Sequence, residues 1–344
     1  MNIASWSLPL LSCAILLCAG TIAVFGVRMT RAARDLAHRT GMGEVLVGAV
    51  LVGAATSLSG ITTSVTAAWS GHAGLAVSNA LGGIAAQTAF LAIADIVYRR
   101  ANLEHAAASV ENLVMCAFLL CLLGIHVAGA ATRSLSFFGI HPATALLVIG
   151  YLFGLFVLMK THRAPMWIPR HTGDTRPEQA GYRNRRRGTM TELWLTFAAA
   201  TVAVTASGWL LAQVAVPFAV RTGLSESFIG GTLTAIATSL PELIIAVTAV
   251  RMGALNLAVG DIVGGNAFDT LFIAVSDIAY RAGPIYGSIS GAELLWLAIS
   301  ILMTAVLLMG LLYRERHGIG NIGVESVLLA IIYLGGASLV FWLA

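Results

Sequence analysis

Ten apolar runs divide the chain, at residues 9–27, 45–68, 75–98, 106–131, 144–159, 193–215, 228–250, 255–280, 291–312 and 324–341. A helix needs about 20 apolar residues to cross the hydrocarbon core of a bilayer. Nine of the runs have about that length, and the fifth is short. The pattern predicts an all-α integral membrane protein of ten transmembrane helices. Composition agrees: 58% of the 344 residues are hydrophobic, 10% are charged, and the mean hydropathy is +0.86. A soluble domain with a large core does not look like this.

Charge sets the orientation. Seventeen of the 20 Lys and Arg residues fall in alternate connections: 28–43, 99–105, 160–192, the turn at Arg251, and 313–320. Only Arg133, Arg221 and Arg281 fall on the other side. Basic residues concentrate in cytoplasmic loops, so both termini are expected outside. The first run has no positive stretch before it and is followed by Arg28, Arg31, Arg34 and Arg39, as an uncleaved first span would be. The net charge of +4 is thus an orientation signal and implies no nucleic-acid partner. A multi-pass protein of a plasma or bacterial inner membrane is expected. The segment 161–192, with Arg183, Arg185, Arg186 and Arg187, is its one long cytoplasmic loop. Cys13, Cys18, Cys116 and Cys121 all lie in apolar runs, where they read as small apolar side chains.

The chain repeats itself. Shifted by 182 residues, positions 56–99 match 238–281 at 20 of 44 places without a gap. The shared positions include Thr56-Ser57-Leu58 with Thr238-Ser239-Leu240, Gly82-Gly83 with Gly264-Gly265, and Asp95 with Asp277. Five spans separate the copies, and an odd number reverses orientation. Two inverted five-helix repeats follow, the plan of secondary transporters with a site at the midplane. The halves are 1–160 and 193–344, joined by 161–192, with repeats at 43–99 and 225–281. Asp95 and Asp277 each precede an arginine by four residues (Arg99, Arg281), a spacing that predicts ion pairs at the membrane edge.

The second copy is interrupted by polar residues that an apolar span tolerates poorly. Pro241 removes a backbone donor and breaks a helix. Glu242 and Asp269 are carboxylates at membrane depth, where ionisable groups are costly and functional by default. Thr238-Ser239-Leu240-Pro241-Glu242, followed by Gly260-Asp261-Ile262-Val263-Gly264-Gly265-Asn266, resembles the paired alpha-repeat motifs of the cation/calcium antiporter superfamily, which includes the sodium/calcium exchangers. The resemblance extends in plan to the whole chain. It implies an antiporter moving calcium against sodium or protons, with spans one and six sliding against a core formed by the repeats.

The first copy departs from that pattern. Ser59-Gly60 stands where the family has Pro-Glu, Ile84 replaces an asparagine, and Gly83 and Gly265 replace serines whose hydroxyls the resemblance would assign to sodium. Calcium takes six to eight oxygens. The candidate ligands are Glu242, Asp269, Thr238 and Asn266 from one half, and Thr56, Ser57 and Gln87 from the other, with carbonyls freed where the helices break at Pro241 and Gly60. Charge is thus expected on one side and neutral oxygen on the other. One calcium, or two protons, neutralises Glu242 and Asp269, whereas three sodium ions leave an uncompensated charge in a medium that penalises it. Proton coupling is therefore expected to rank at least equal with sodium coupling. Asp261 reads as a third acid, a proton relay or a packing hydrogen-bonder. His72 reads as a turn residue, and His126 as a packed polar residue.

No resident cofactor is expected: the partners are inorganic cations and membrane lipid. An enzyme is the weakest reading, since the chain has no Ser/His/Asp array or H-E-x-x-H, and Ser57-Leu58-Ser59-Gly60 lacks the preceding glycine and strand of a nucleophile elbow. Two alternatives stay open: exchange of monovalent or other divalent cations, and a non-transporting protein that keeps the fold as a cation sensor or scaffold. The sequence leaves a monomer and a homodimer equally open.

Overall fold

The structure is a computed structural model that describes residues 3, 6–42, 44–170, 172–173, 189–220, 225–318 and 322–343. The arginine cluster at 183–187 and Arg221 lie outside these residues. The helices are α1 (Leu8–Thr40), α2 (Glu44–Thr56), α3 (Leu58–Trp69), α4 (Ala73–Val97), the short α5 (Leu103–Ala106), α6 (Val110–Ala131), α7 (Pro142–Arg163), α8 (Met190–Val220), α9 (Glu226–Thr238), α10 (Leu240–Met252), α11 (Leu255–Ala279), α12 (Gly291–Tyr313) and α13 (Val324–Leu343). Among the described residues, eight are long and apolar enough to cross a membrane. The pairs α2–α3 and α9–α10, each bent by 44°, bring the number of spans to ten.

The repeat in sequence is a repeat in structure. The 182-residue shift carries the bounds of α4 onto those of α11, the break at Ser57 onto the break at Ser239, and a π-helical stretch ending at Val52 onto one ending at Thr234. Gly71 and Gly253, just before α4 and α11, both turn with positive φ (90° and 76°), a region glycine enters without steric cost. α4 and α11 form the centre, with 78% and 83% of their apolar windows buried. α1 and α8, at 33 and 31 residues the longest helices, pack along one another at the periphery with 22% and 28% buried.

Some expectations are corrected. The fifth span is not short: α7 starts at Pro142, where a missing backbone donor costs nothing at a helix N-terminus, and runs 22 residues. The first span runs on to Thr40, so Arg28, Arg31, Arg34 and Arg39 are helical and do not form a loop. Its C-terminal end is tied to the core: Arg34 Nη1 donates to the Met252 carbonyl at 2.9 Å, and Arg34 Nε lies 3.6 Å from the Glu44 carboxylate. Gly41 closes the helix in the left-handed conformation, its N–H on Ala37 O.

Asp95 and Asp277 do not form the expected i,i+4 ion pairs. Asp95 accepts from the backbone N–H of Leu103 at 2.7 Å and of Gly323 at 2.8 Å. Asp277 accepts from Ile285 N–H and His141 N–H, both at 2.7 Å, and from Thr144 Oγ1 at 2.6 Å. Buried backbone donors need partners and hold ionised acceptors strongly, which outweighs an exposed ion pair. Arg281 instead lies over the Trp69 ring at 4.5 Å, and Arg99 is exposed. The 182-residue shift relates these two clasps as well, carrying His141 onto Gly323 and Leu103 onto Ile285. Each aspartate holds the N-terminus of the other repeat's last span, so the halves interlock.

Candidate functional site

Helix breaks build the site. In α10, Pro241 sits in the first turn, where its missing N–H is harmless. Its ring cannot follow a continuous helix, so the chain breaks two residues earlier, at Ser239. The first copy bends equally without proline. There the Ser59 hydroxyl, where the family has proline, donates to Thr56 O at 3.2 Å and to Thr238 O at 3.2 Å. A hydroxyl that competes for backbone carbonyls bends a helix, and this one joins the two breaks. Gly60 is not the breaking residue. It lies within α3, where an added Cβ would come 2.5 Å from the Phe272 ring. The π-helical turns before each break bring α2 and α9 backbone-to-backbone with α11 and α4. A Cβ on Gly53 would stand 2.7 Å from Gly265 N, and one on Gly230 2.8 Å from Leu75 O. Single π-turns often mark functional sites.

Where these breaks meet α4 and α11 lies a small cavity of about 10 Å³. That is room for one water-sized body. Glu242, Asp269, Thr238, Ser57 and Gln87 line it, joined by Ser239, Asn79, Gly60, Gly83 and Phe272. Five of the seven nominated residues therefore meet. Thr56 and Asn266 stand behind the lining. Thr56 Oγ1 donates to Val52 O and Gly53 O at 3.1 Å, and Asn266 Nδ2 donates to Thr88 Oγ1 at 2.9 Å. Thr238 likewise spends its hydroxyl proton within its own helix, on Thr234 O at 3.0 Å.

Some of the acceptors at the site lack donors. Gln87 Nε2 donates to Ser239 Oγ at 3.2 Å and to Asp269 Oδ2 at 2.7 Å, and the 182-residue shift superimposes Gln87 on Asp269. Glu242 Oε2, Gln87 Oε1 and Asn266 Oδ1 are buried and have no hydrogen-bond partner among the described residues, while the Ser57 hydroxyl reaches Asp269 and the Thr56 hydroxyl reaches Glu242. Oxygen atoms buried unpaired are costly, and a cation offsets that cost by taking them as ligands. Among the described residues, no group of three or more His, Cys, Asp or Glu side chains gathers closely enough to hold a metal. A cation in this cavity meets two carboxylates and otherwise neutral oxygens. The expected asymmetry of charge is thus present, with both acids from the second repeat. Arg251, at the far end of α10, is exposed.

Three residues stand at or beside the site without having been nominated. Asn79 and Ser239 line the cavity, and the internal repeat carries their signal: Ser239 is the counterpart of Ser57, and Asn79 of Asp261. Asp261 is wholly buried, both its carboxylate oxygens lack partners among the described residues, and it lies within electrostatic reach of Glu242 and Asp269. It makes no packing hydrogen bond among the described residues, and it stands near the two lining acids without lining the cavity itself. His72 precedes α4 and meets Glu226 at 2.6 Å. His126 is packed against Tyr286 Oη at 2.9 Å and Thr270 O at 3.2 Å. The cysteines are free, Cys18 and Cys116 buried, Cys13 and Cys121 exposed.

Comparison with known proteins adds an independent line. The family described as sodium/calcium exchanger protein matches residues 10–162 and 192–342. CaxA of Alkalimonas amylolytica, provisionally described as an antiporter, is 28% identical over 317 residues, covering 91% of this chain and 93% of its own. The inner membrane protein YrbG of Escherichia coli is 27% identical over 267 residues, covering 77% and 78%. Among solved structures, the sodium-calcium exchanger NCX_Mj soaked with sodium and calcium superposes with a TM-score of 0.67 at 19% identity, covering 96% of this chain and 98% of that one. At that identity the likeness speaks for the fold.

Proposed function

The chain belongs to the sodium/calcium exchanger family, whose members are transporters and not enzymes, and from that premise we propose that it exchanges calcium for protons through the cavity between the broken helices. One observation carries the choice of a hard divalent cation. A space of about 10 Å³ is lined by two carboxylates and neutral oxygens, of which Glu242 Oε2 and Gln87 Oε1 are buried without a hydrogen-bond partner among the described residues. Calcium takes carboxylate, amide, hydroxyl and carbonyl oxygens in a flexible shell. Glu242 and Asp269 supply the charge, Gln87 and Ser57 neutral oxygens, and carbonyls at the breaks the remainder. Thr56 and Asn266 support the ligands from behind, and Thr238 lines the cavity beside them.

The coupling ion follows from hydroxyls, not charge. Asp261, outside the cavity lining but within electrostatic reach of Glu242 and Asp269, adds a third acid nearby, so charge counting alone no longer separates sodium from protons. Gly83 and Gly265 do. A Cβ on Gly83 would lie 3.6 Å from Asp269 Oδ2 and 3.8 Å from Ser239 Oγ, an ordinary contact. A serine would fit there and bring a further oxygen to Asp269. The chain has none, which leaves sodium short of ligands while a proton needs only the carboxylates. Calcium arrives as protons leave Glu242 and Asp269, and the breaks let one side of the core open at a time as α1 and α8 shift over it.

The site is placed in a plasma or bacterial inner membrane with both termini outside, the orientation that keeps the basic connections in the cytoplasm. Calorimetric calcium titration in buffers of different ionisation enthalpy tests the reading. It predicts saturable calcium binding with proton release, abolished by Glu242→Gln. Calcium binding without any buffer dependence would remove the proton, and no binding would remove the calcium.

A further inference from the structure

A second group of acids lies at the cytoplasmic edge, away from the cavity. Glu104 on α5 is 2% exposed and Glu325 at the start of α13 is 9% exposed. Glu104 Oε1 accepts from Ser326 Oγ at 3.2 Å. Glu104 Oε2 and Glu325 Oε2 are buried and have no hydrogen-bond partner among the described residues. These two oxygens converge: they lie 3.2 and 3.3 Å from the single point where a side-chain carbon on Gly323 would stand. Gly310 makes the remaining room, for a Cβ there would be 2.6 Å from Glu325 Cγ and 3.2 Å from Glu104 Cγ.

The fold does not require this pair. Its mechanical counterpart, the clasp of Asp95 on Leu103 and Gly323, recurs at Asp277 on the opposite side. There the 182-residue shift places Tyr286 where Glu104 stands, and Ala143 where Glu325 stands. The same clasp closes with no glutamate. The acids are thus an addition on the cytoplasmic side only.

Two buried carboxylates facing each other cannot both ionise cheaply. The charged and titratable groups around them do not relieve the conflict. Asp95 on α4 adds a third acid. Arg314, after α12, directs Nη1 to the Arg170 carbonyl at 2.7 Å and Nη2 to the His105 carbonyl at 3.3 Å. His105 on α5 meets Arg314 O at 2.7 Å and Thr172 Oγ1 at 2.8 Å. We propose that Glu104 and Glu325 hold one proton between their facing oxygens, forming a cytoplasmic proton-binding site that is separate from the transport cavity and governs how firmly α13 docks. With the proton in place, the pair joins α5 to α13 beside the Asp95 clasp. Its loss sets two like charges against one another across that joint.

Burial, reinforced by Asp95 and then Glu325, pushes the Glu104 carboxyl up to about 8, so the release falls within the cytoplasmic range of interest. An unfolded glutamate titrates near ~4.3. Between the two values the folded protein keeps a proton that the unfolded chain gives up. Stability is complete below the lower value and falls as pH rises through the upper one, by up to about tenfold in the folded-to-unfolded ratio per pH unit for one proton.

The test is an infrared pH titration of the purified full-length protein, following the carbonyl stretch of protonated carboxyl groups. Besides the components of Glu242 and Asp269, the wild type is expected to lose one centred near pH 8 that the difference between wild type and Glu104→Gln isolates. Glu104→Gln should abolish that component, and Glu325→Gln should displace it to lower pH. Should one variant fail to fold, the other decides. A component unchanged in the folded variants overturns the proposal. So does its removal by calcium at constant pH in the wild type but not in Glu104→Gln, which would make the pair a metal site.

Discussion

The close crossing of α2 over α11 carries the first repeat's oxygens to the second repeat's acids, and Gly53 is where it can be broken. A methyl at Gly53 would stand 2.7 Å from Gly265 N, 3.0 Å from Gly265 Cα and 3.3 Å from Asp261 O. All three are backbone atoms of a central helix, so no side chain can rotate away. The helices must separate by several tenths of an ångström. Overpacking of this kind costs about 1–3 kcal/mol, and each 1.4 kcal/mol is about tenfold in the folded population. Two neighbours calibrate the effect. At Gly265 the nearest atom to a methyl is Gln87 Oε1 at 3.2 Å, a side chain that can yield, while at Gly83 nothing lies closer than 3.6 Å. Thermal unfolding in one detergent is expected to rank Gly53→Ala as most destabilised, Gly265→Ala next, and Gly83→Ala close to wild type. Gly53→Ala should also lose calcium binding more steeply than its stability explains, because Ser57 moves away from Asp269. Gly83→Ala as damaging as Gly53→Ala, or a Gly53→Ala protein as stable as wild type, would refute the crossing as drawn.

Other outcomes follow from named contacts. Gly83→Ser should fold normally and make calcium uptake sensitive to sodium, read as inhibition by added sodium in vesicles; an indifferent variant would show that a hydroxyl there does not reach the ion. Asp277→Asn replaces a buried side chain whose two oxygens accept three bonds, from Ile285, His141 and Thr144, with one that has a single acceptor oxygen. It should destabilise the fold by about 1–3 kcal/mol for each buried donor it leaves without an acceptor. Its calcium affinity, measured on the folded fraction, should be unchanged, whereas a selective loss of affinity would move Asp277 into the pathway. Arg251→Ala should leave both transport and stability within error in flux and melting assays, as its side chain is exposed at the end of α10.

Much of this was legible from residue order because membranes restrict the choices. Span number, the repeat and the cluster of Glu242, Asp269, Ser57, Thr238 and Gln87 all rest on polarity and on a fixed 182-residue offset. The rest depended on who meets whom in three dimensions. The roles of Asp95 and Asp277 were misread because helical spacing points to Arg99 and Arg281, while the donors they take are backbone N–H groups far along the chain at Gly323 and His141. The bend without a proline was ascribed to Gly60 by analogy with the second copy, and the structure assigns it to the break at Ser57 and the bridging hydroxyl of Ser59. Asp261 was left open because a carboxylate one helical turn from a site and one within it look alike in sequence.

Calcium flux into proteoliposomes containing the purified protein tests the central claim most directly, with a pH gradient in one set, a sodium gradient in another, and Glu242→Gln in both. The account predicts uptake driven by the pH gradient, indifferent to sodium, and lost in the variant. Uptake driven by sodium alone would contradict the assignment of protons, and pH-driven uptake that survives in Glu242→Gln would contradict the site itself.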